Sequence, residues 1–472
     1  MAVLRLRALV LAVCLVCFYA PASSASSGDF PRCLSASIPS ELIFTQRSPS
    51  FASVLASSIR NPRLSTPGTV RPLCIVTPTN ASHAQAAVLC GRRHGIRIRV
   101  RNGGHDYEGL SYRSVQPEAF AVVDLANLRS VRVNRAKATA WVDSGATVGE
   151  LYHAVAKASG ERLAFPAGLC PTIGVGGHFT GGGFGLLQRK YGIAVGHVID
   201  AVLVDAHGSL LDKKAMGRDS FGIVLSWRVR LVPVPPKVTA FIVPVSVDDG
   251  AVDVLTTWQE VGPALLDDLF IRVIVQNGVA TFQSQYLGTC DALLAVMRGR
   301  FPELRMNRSY CREMSWAETT PMDTSNKATS DYVRQPIGRG VWAEIFNWLA
   351  RPNPGLMILG PYGGAISAVP EAATPFPHRG GVLYNIQWIR DLYAFMAPYV
   401  SKNPREAYFN YRDLDLGRNV VVGNVSSYEA GKVWGEKYFK GNYKRLALAK
   451  GKIDPDDYFR NEQSIPPLVP RS

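Results

Sequence analysis

The sequence predicts a fold that mixes helices and strands, of the α/β or α+β class. From residue 71 to residue 236, short runs rich in β-branched residues alternate with stretches of helical periodicity. A cluster of prolines, Pro233, Pro235 and Pro236, then interrupts the pattern and predicts a domain boundary. Helices and strands continue beyond it, so the 472 residues are enough for two or more domains with large buried cores.

The predicted elements alternate in type along the chain. Before the prolines, strands are predicted at 96–100, 121–124, 139–143, 199–205 and 222–231, and a helix at 147–159. After them, strands are predicted at 239–245, 269–275 and 382–388, and helices at 291–301 and 341–349. The last segment, from about residue 406, is rich in Tyr, Asn, Asp and Lys and contains a predicted helix at 428–438.

The N-terminus has the order of a secretory signal peptide. Arg5 and Arg7 precede an apolar run from residue 8 to about residue 20, and small residues follow at 22–25. The run is short for a bilayer span, and no later stretch approaches about 18 uninterrupted apolar residues. We therefore expect residues 1–25 to be removed and the mature protein to be secreted, with no transmembrane span.

The chain is strongly basic, with 52 Lys and Arg against 37 Asp and Glu and a net charge of +15. Such a charge suits nucleic acid, an acidic polysaccharide or an anionic membrane surface. Secretion argues against nucleic acid and favours an acidic extracellular matrix, although basic residues scattered over the surface would give the same total. The N-x-S/T triplets at Asn80, Asn307 and Asn424 are candidate glycosylation sites.

The cysteines that follow the signal peptide also fit an oxidising compartment. They are Cys33, Cys74, Cys90, Cys170, Cys290 and Cys311. No C-x-x-C pair remains among them, so a zinc ribbon or a thioredoxin-like site is unsupported. No metal site is predicted.

Two glycine-rich segments are candidate binding loops. Residues 99–109 read Arg-Val-Arg-Asn-Gly-Gly-His-Asp-Tyr-Glu-Gly and begin in a predicted strand, and residues 168–185 contain eight glycines. Paired glycines let backbone N–H groups turn toward an anion. The glycine spacing matches neither a dinucleotide-binding fingerprint nor a P-loop. Tight structural loops between strands are the alternative interpretation.

These segments and the C-terminal sequence resemble a known family. His105 and Cys170 in the two loops, Tyr-Phe-Asn-Tyr-Arg-Asp-Leu-Asp at 408–415 and Trp-Gly-Glu-Lys-Tyr-Phe at 434–439 resemble the plant berberine bridge enzyme-like flavoproteins. These are FAD-linked oxidoreductases of the vanillyl-alcohol oxidase type. The resemblance implies an α+β fold with a two-part FAD-binding domain at 26–235. It further implies an inserted substrate domain at 236–405, built on an antiparallel sheet with helices, and a C-terminal segment at 406–472 that returns to the FAD-binding domain.

The resemblance implies FAD held by two covalent links, from His105 to the flavin 8α-methyl group and from Cys170 to flavin C6. An imidazole nitrogen and a thiolate are nucleophiles able to add to the electron-poor ring. His178 is expected to support its loop. The implied cofactor-binding residues besides these three are Arg101, Asn102, Gly103, Gly104, Gly109, Gly174, Gly176, Gly177, Gly182, Gly183, Tyr408 and Asn410.

The implied reaction is hydride transfer from a substrate C–H to the flavin while a base removes the hydroxyl proton. Many relatives have a Tyr base and a nearby Lys where this chain has Phe184 and Asn385, so the base is open. The candidate catalytic residues are Tyr107, Tyr191, Gln387 and Tyr411. The resemblance favours a monomer in the cell wall that oxidises a wall oligosaccharide or a monolignol-type alcohol, with an organic acceptor or O2 taking the electrons.

One position in the second loop bears on the electron acceptor. Ile173 lies three residues after Cys170, where the resemblance implies a gate over the flavin face. A smaller Val there admits O2 and a bulkier side chain blocks it, so we expect a dehydrogenase rather than an oxidase. Ile173 packing under the ring, without such a role, is the alternative.

The chain also departs from the family in length. Segments that relatives carry are missing or shortened in this chain after residue 219, between residues 316 and 322, and after residue 387. These places flank the cofactor and substrate regions, so a catalytically silent secreted protein that keeps the fold is the alternative function.

The resemblance also bears on the disulfides. It implies that Cys33 pairs with Cys90. A Cys290–Cys311 pair is possible, which would leave Cys74 over.

Overall fold

The computed structural model describes residues 29–65, 70–216, 221–319, 329–352, 355–388 and 392–470. The predicted signal peptide lies outside these ranges, and so do residues 219–220, where the first segment is shortened, and residues 320–322. Residues 316–319 and 387–388, at the other two shortened places, are described. The predicted mixture of helices and strands is confirmed. Within the described ranges, no helix is long and apolar enough to cross a membrane.

The α-helices are α1 (Asp29–Ser35), α2 (Phe51–Ala56), α3 (Ala81–Arg93), α4 (Val148–Ser159), α5 (Val175–Thr180), α6 (Gln188–Tyr191), α7 (Lys213–Met216), α8 (Ala251–Ala264), α9 (Cys290–Arg300), α10 (Arg339–Leu349), α11 (Gly364–Ala368), α12 (Tyr393–Met396), α13 (Tyr428–Phe439) and α14 (Asn442–Ile453). The strands are β1 (Ile43–Thr45), β2 (Cys74–Val76), β3 (Arg97–Arg101), β4 (Phe120–Asp124), β5 (Val131–Asn134), β6 (Thr139–Asp143), β7 (Leu163–Ala164), β8 (Val198–Val204), β9 (Leu210–Leu211), β10 (Ile223–Arg230), β11 (Val232–Pro233), β12 (Val238–Ser246), β13 (Leu269–Gln276), β14 (Val279–Tyr286), β15 (Cys311–Met314), β16 (Thr329–Val333), β17 (Met357–Pro361), β18 (Tyr384–Trp388), β19 (Val421–Val422) and β20 (Val425–Ser426).

The first sheet has the strand order β1-β2-β4-β3, and β4 pairs in parallel with both β2 and β3. Every residue of β4 is buried, as expected of a parallel strand that is covered on both faces. Strand β3 ends at Arg101 and leads directly into the first glycine-rich loop. That loop therefore lies at the carboxyl end of a parallel strand, where open α/β sheets bind their ligands.

The second sheet is antiparallel, with the order β5-β6-β10-β8-β9. Helix α4 begins with a capping box, in which Thr147 and Glu150 satisfy each other's backbone N–H groups. Its apolar side chains, with those of α5, join the core beneath the sheet. Because α5 starts in the second glycine-rich loop, this packing fixes the position of that loop.

The third sheet has seven antiparallel strands in the order β15-β12-β14-β13-β17-β18-β16. Buried side chains of α8 and α10, including Trp258 and Trp342, join the sheet in the largest apolar cluster of the described chain. The seven strands of this sheet lie between Val238, where β12 begins, and Trp388, where β18 ends. The domain boundaries at 235 and 405 stay a prediction.

The C-terminal segment packs back onto the first sheet through buried polar contacts. Arg99 on β3 forms an ion pair with Glu462 at 3.0 Å, and both side chains are buried. Arg97 donates a 2.8 Å hydrogen bond to the carbonyl of Asp457. Removing one partner of such a buried pair leaves the other charge without compensation, which typically costs about 3–5 kcal/mol.

Two disulfides cross-link the described part of the chain. Cys33 is bonded to Cys90, as the resemblance implied. Cys290 is bonded to Cys311, the pair that the sequence left possible. Cys74 is buried, and burial raises the pKa of its thiol to about 12, so it remains a protonated core side chain. Cys170 also takes part in neither disulfide.

Candidate functional site

A cavity of about 730 Å³ lies between the two glycine-rich loops, the seven-stranded sheet and the C-terminal segment. Its size is within the range of small-molecule and cofactor sites. Most of the residues predicted from the sequence line it. They are Asn102, Gly103, Gly104, His105, Tyr107, Cys170, Gly174, Gly177, His178, Gln387, Tyr408, Asn410 and Tyr411.

The two glycine-rich loops touch through their backbones at Gly103 and Gly174. A Cβ atom on Gly103 would lie 2.4 Å from the nitrogen of Gly174, and one on Gly174 would lie 2.3 Å from the nitrogen of Gly103. Neither position can therefore carry a side chain without separating the loops. Beside this contact, the Asn102 side chain donates a 2.8 Å hydrogen bond to the carbonyl of Ser144.

This contact brings the two predicted flavin ligands together. His105 Nε2 lies 2.9 Å from Thr172 Oγ1, and Cys170 Sγ lies 3.4 Å from the same hydroxyl oxygen. Both side chains are half-buried and line the cavity. An imidazole and a thiol are thus presented to one space by two separate loops.

His178 supports the second loop from within. The Gly168 N–H donates a 2.8 Å hydrogen bond to His178 Nε2, and burial, with a smaller effect of His105, lowers the pKa of His178 to about 4. The imidazole is therefore neutral at physiological pH and accepts this bond. Asn410 holds the same loop by donating to the His178 carbonyl at 3.0 Å.

The C-terminal motif closes the cavity with aromatic rings. The Tyr408 hydroxyl accepts hydrogen bonds from the Gly183 N–H and from Asn410, both at 2.9 Å. Its ring stacks on Phe184 with centroids 4.1 Å apart. Phe184, at the place of the base in many relatives, thus supplies only a packing surface.

Three of the predicted catalytic residues form one cluster. Gln387 on β18 donates a 2.8 Å hydrogen bond to the Tyr107 hydroxyl, and the Tyr107 and Tyr411 rings stack with centroids 5.7 Å apart. Burial raises the pKa of Tyr107 well above its usual range and that of Tyr411 to about 12. The positive charge of Arg272 acts in the opposite direction and makes the pKa of Tyr411 lower than burial alone would make it.

Sequence reasoning missed Arg272. It lies on β13, lines the cavity and donates two hydrogen bonds, of 3.0 and 2.6 Å, to the side-chain oxygen of Gln283. A single arginine in the apolar strand Leu-Phe-Ile-Arg-Val-Ile-Val-Gln was the available signal. Other polar lining residues absent from the sequence-based set include Gln276, Gln283, Asn385, Arg460 and Asn461.

Six predicted residues do not line the cavity. They are Arg101, Gly109, Gly176, Gly182, Gly183 and Tyr191. Arg101 is fully buried, forms an ion pair with Asp124 and donates to the carbonyls of Val54 and Leu55, so it braces the end of β3. The Tyr191 hydroxyl donates to the carbonyl of Pro233, and we do not retain Tyr191 as a base candidate.

The cavity fits FAD in its donor chemistry and in its open space. A Cβ atom on Gly177 would meet no atom within 4 Å, and this glycine is exposed although its loop packs against the core. Backbone at such a position can be approached closely by a phosphate group. Arg460, from the C-terminal segment, also lines the cavity, and its guanidinium is held there by an ion pair with Glu118 at 2.7 Å.

The family models and sequence relatives agree with this geometry. A family model described as "FAD binding domain" matches residues 72–213, and one described as "Berberine and berberine like" matches residues 407–466. The chain is 56% identical to berberine bridge enzyme-like Cyn d 4 of Cynodon dactylon, over 98% of this chain and 97% of the relative. It is 41% identical to berberine bridge enzyme-like 8 of Arabidopsis thaliana, over 98% of this chain and 99% of the relative.

Solved structures are similar over nearly the whole chain. Phl p 4, described as a grass pollen allergen with glucose dehydrogenase activity, has a TM-score of 0.91 and 56% identity, over 94% of this chain and 100% of that chain. A variant of berberine bridge enzyme has a TM-score of 0.87 and 33% identity, over 93% of this chain and 100% of that chain. The chain therefore belongs to the berberine bridge enzyme-like family of FAD-linked oxidoreductases.

Proposed function

We propose that the protein oxidises a hydroxyl group of a saccharide. The observation that carries this proposal is the polar wall of the cavity on the seven-stranded sheet. It consists of Arg272, Gln276, Gln283, Asn385 and Gln387. Amide and guanidinium groups that converge on one space suit a ring with several hydroxyl groups better than the apolar ring of a monolignol-type alcohol. The glucose dehydrogenase activity described for Phl p 4 supports the same substrate class.

Bound FAD supplies the oxidising chemistry, by accepting a hydride from the substrate carbon. The chain supplies the base that takes the hydroxyl proton, so that the alcohol becomes a carbonyl group or, at a sugar's anomeric carbon, a lactone. We assign the base to Tyr411. Its phenol lines the cavity, and Arg272 is the cation that favours its deprotonated form. In many relatives a Tyr and a Lys perform these two roles, at the positions that Phe184 and Asn385 occupy in this chain. Here Tyr411 and Arg272 would perform them instead.

Tyr107 has a different role in this proposal. Its hydroxyl already accepts a hydrogen bond from Gln387, and it stacks against Tyr411. Burial and the neighbouring Tyr411 raise its pKa, while the Gln387 bond lowers it. Tyr107 therefore stays protonated and donates to a substrate oxygen, which orients the substrate toward Tyr411.

The covalent attachment of FAD belongs to the same proposal. His105 and Cys170 lie on either side of the Thr172 hydroxyl, close enough for both to reach one ring system. Two attachment points would also prevent loss of the cofactor outside the cell. The two disulfides support a secreted protein, because such bonds persist in oxidising compartments.

The absorbance spectrum of the purified protein tests the cofactor and separates the enzyme from a silent protein. We expect a flavin band that stays with the polypeptide after acid precipitation. A folded, colourless protein would contradict the proposal. The substrate class is then tested by reduction of a dye with glucose, with a cello-oligosaccharide and with coniferyl alcohol. Turnover of the aromatic alcohol alone would contradict a saccharide substrate.

A further inference from the structure

A half-buried tryptophan lies between two arginines on the outer face of the five-stranded sheet. Trp141 on β6 is the direct cross-strand partner of Arg132 on β5 and of Arg228 on β10. Alternation along β6 buries Ala140 and Val142 in the core and leaves Trp141 on the opposite face. We call the surface formed by Arg132, Trp141, Arg228 and Arg230 the Trp141 face.

The alternation of the neighbouring strands extends this surface. Arg228 is half-buried and Arg230 is exposed, while the residues between and before them, Val229 and Trp227, are buried. Arg132 is exposed on β5. Adjacent strands are about 4.8 Å apart, so the Arg132 and Arg228 backbones flank Trp141 across about 10 Å.

Two of the three arginines on the Trp141 face have no ion-pair partner within the described ranges. Arg228 and Arg230 form no side-chain hydrogen bond or ion pair with any residue in the described ranges. Two carboxylates share this side of the sheet: Asp143 lies near Arg132, and Asp200 on β8 is the cross-strand partner of Arg228. Both carboxylates already accept hydrogen bonds from backbone N–H groups. Asp143 accepts from the Ser130 N–H and lies 4.0 Å from Arg132, and Asp200 accepts from the N–H groups of Ala201 and Lys213.

We propose that the Trp141 face binds an acidic polysaccharide, whose sugar residues carry carboxylates. The apolar C–H face of one sugar would stack on the indole ring, and carboxylates of the neighbouring sugars would pair with the arginines. The span between the arginines is that of about two sugar residues. This site lies outside the cavity, and none of its four residues lines it.

Charge complementarity favours this ligand over a neutral glycan, and the single broad ring favours it over a featureless polyanion. A guanidinium pairs with a carboxylate through two parallel hydrogen bonds, whereas it gains less from a neutral hydroxyl. The net charge of +15 of the whole chain would attract any polyanion at low salt. A loss of affinity on removal of the Trp141 ring would therefore distinguish a specific polysaccharide site from the non-specific attraction of polyanions to a basic protein.

Isothermal titration of the holoprotein with a galacturonic acid hexamer at physiological salt tests the proposal. We expect saturable binding that Trp141→Ala weakens at least 10-fold and that Trp141→Phe largely retains. The double variant Arg228→Gln/Arg230→Gln should lose binding by a similar factor. Arg298→Gln, which removes an exposed charge from α9, is the matched control and should change affinity less than 2-fold.

Each other outcome would overturn the proposal. Absence of binding to the hexamer would do so directly. Equal affinity for polyglutamate, or for a single-stranded oligonucleotide, would show general polyanion binding, and so would equal losses in Trp141→Ala and Arg298→Gln. Equal affinity for cellohexaose would show a neutral glycan site. Flavin absorbance and thermal unfolding of each variant establish that it is folded and loaded.

Discussion

His105 Nε2 and Thr172 Oγ1 lie 2.9 Å apart, and this hydroxyl is also 3.4 Å from Cys170 Sγ. One small side chain thus joins the two loops that carry the proposed flavin ligands. The loops are separately anchored, since the first follows β3 and the second leads into α5. Loss of one ligand should therefore leave the other in place.

We expect His105→Ala and Cys170→Ala each to keep FAD attached to the polypeptide after acid precipitation, through the remaining link. Only the double variant should release all of its flavin on denaturation. Absorbance of the precipitate and of the supernatant measures the two fractions. Complete release of flavin from either single variant would mean that at least one link is assigned wrongly.

The loops could be predicted because their signal is local. Glycines at 103 and 174 mark a backbone contact, and a histidine and a cysteine beside them stand out as nucleophiles in short stretches of sequence. The strand that carries the first loop was predicted within one residue, at 96–100 against Arg97–Arg101. Short-range periodicity is enough for such elements.

The rest of the site depends on contacts that local patterns do not encode. Gln387 and Tyr107 are 280 residues apart, and only the order of the seven-stranded sheet brings them together. Arg272 has an apolar neighbour on each side, so nothing nearby marks it as a site residue. Helix α14 was missed because its residues, Asn-Tyr-Lys-Arg-Leu-Ala-Leu-Ala-Lys-Gly-Lys-Ile, contain many cations and a glycine, and its stability comes from packing.

The proposed base predicts a specific pH dependence. Activity that needs the Tyr411 phenolate should rise with pH toward the phenol's pKa. Arg272 lowers that pKa, so Arg272→Gln should raise it and move the rising limb of kcat to higher pH. Tyr411→Phe should lower kcat about 100-fold or more at every pH. Steady-state rates with a dye acceptor from pH 6 to about 10 check both effects.

Tyr191→Phe is the matched control, because Tyr191 is a half-buried tyrosine that does not line the cavity. It should leave kcat and its pH profile unchanged. If Arg272→Gln lowers kcat uniformly without moving the limb, Arg272 acts on substrate position and not on the acidity of Tyr411. Full activity in Tyr411→Phe would remove it as the base.

The shortened segment after residue 219 predicts weak cofactor loading. The alignment with Cyn d 4 runs over 508 positions, more than the 472 residues of this chain, so the relative has segments that this chain lacks. Gly222, close to that point, lines the cavity. We expect the recombinant protein to carry less than one FAD per chain, and grafting the relative's segment between Asp219 and Ser220 should raise that ratio.

The ratio of flavin absorbance to protein absorbance measures loading in both proteins. A graft of the relative's segment at another shortened place, after residue 387, is the control, since it lies on the sheet that carries the polar wall. It should change substrate KM rather than FAD content. Full loading of the ungrafted protein would show that the shortened loop does not limit cofactor binding.

Ile173 lies where the second loop faces the cavity. Its N–H donates to the Cys170 carbonyl at 3.3 Å, and its side chain packs against the core beneath the second sheet while also lining the cavity. Close-packed interiors do not absorb an added methylene freely. A variant of Phl p 4 with a single isoleucine-to-valine change is described as a glucose oxidase, whereas the wild type is described as a glucose dehydrogenase.

We therefore expect this protein to be a dehydrogenase, which passes electrons to an organic acceptor much faster than to O2. Ile173→Val removes one methylene beside Cys170 and should open the way for O2, so reoxidation in air should accelerate at least 10-fold. Stopped-flow absorbance of the reduced flavin, mixed with air-saturated buffer, measures this rate. Ile274→Val is the control, because Ile274 lines the same cavity from β13 and should leave the rate unchanged. Rapid reoxidation of the unmodified protein, with no further gain in Ile173→Val, would show that Ile173 only packs under the ring and that the enzyme is an oxidase.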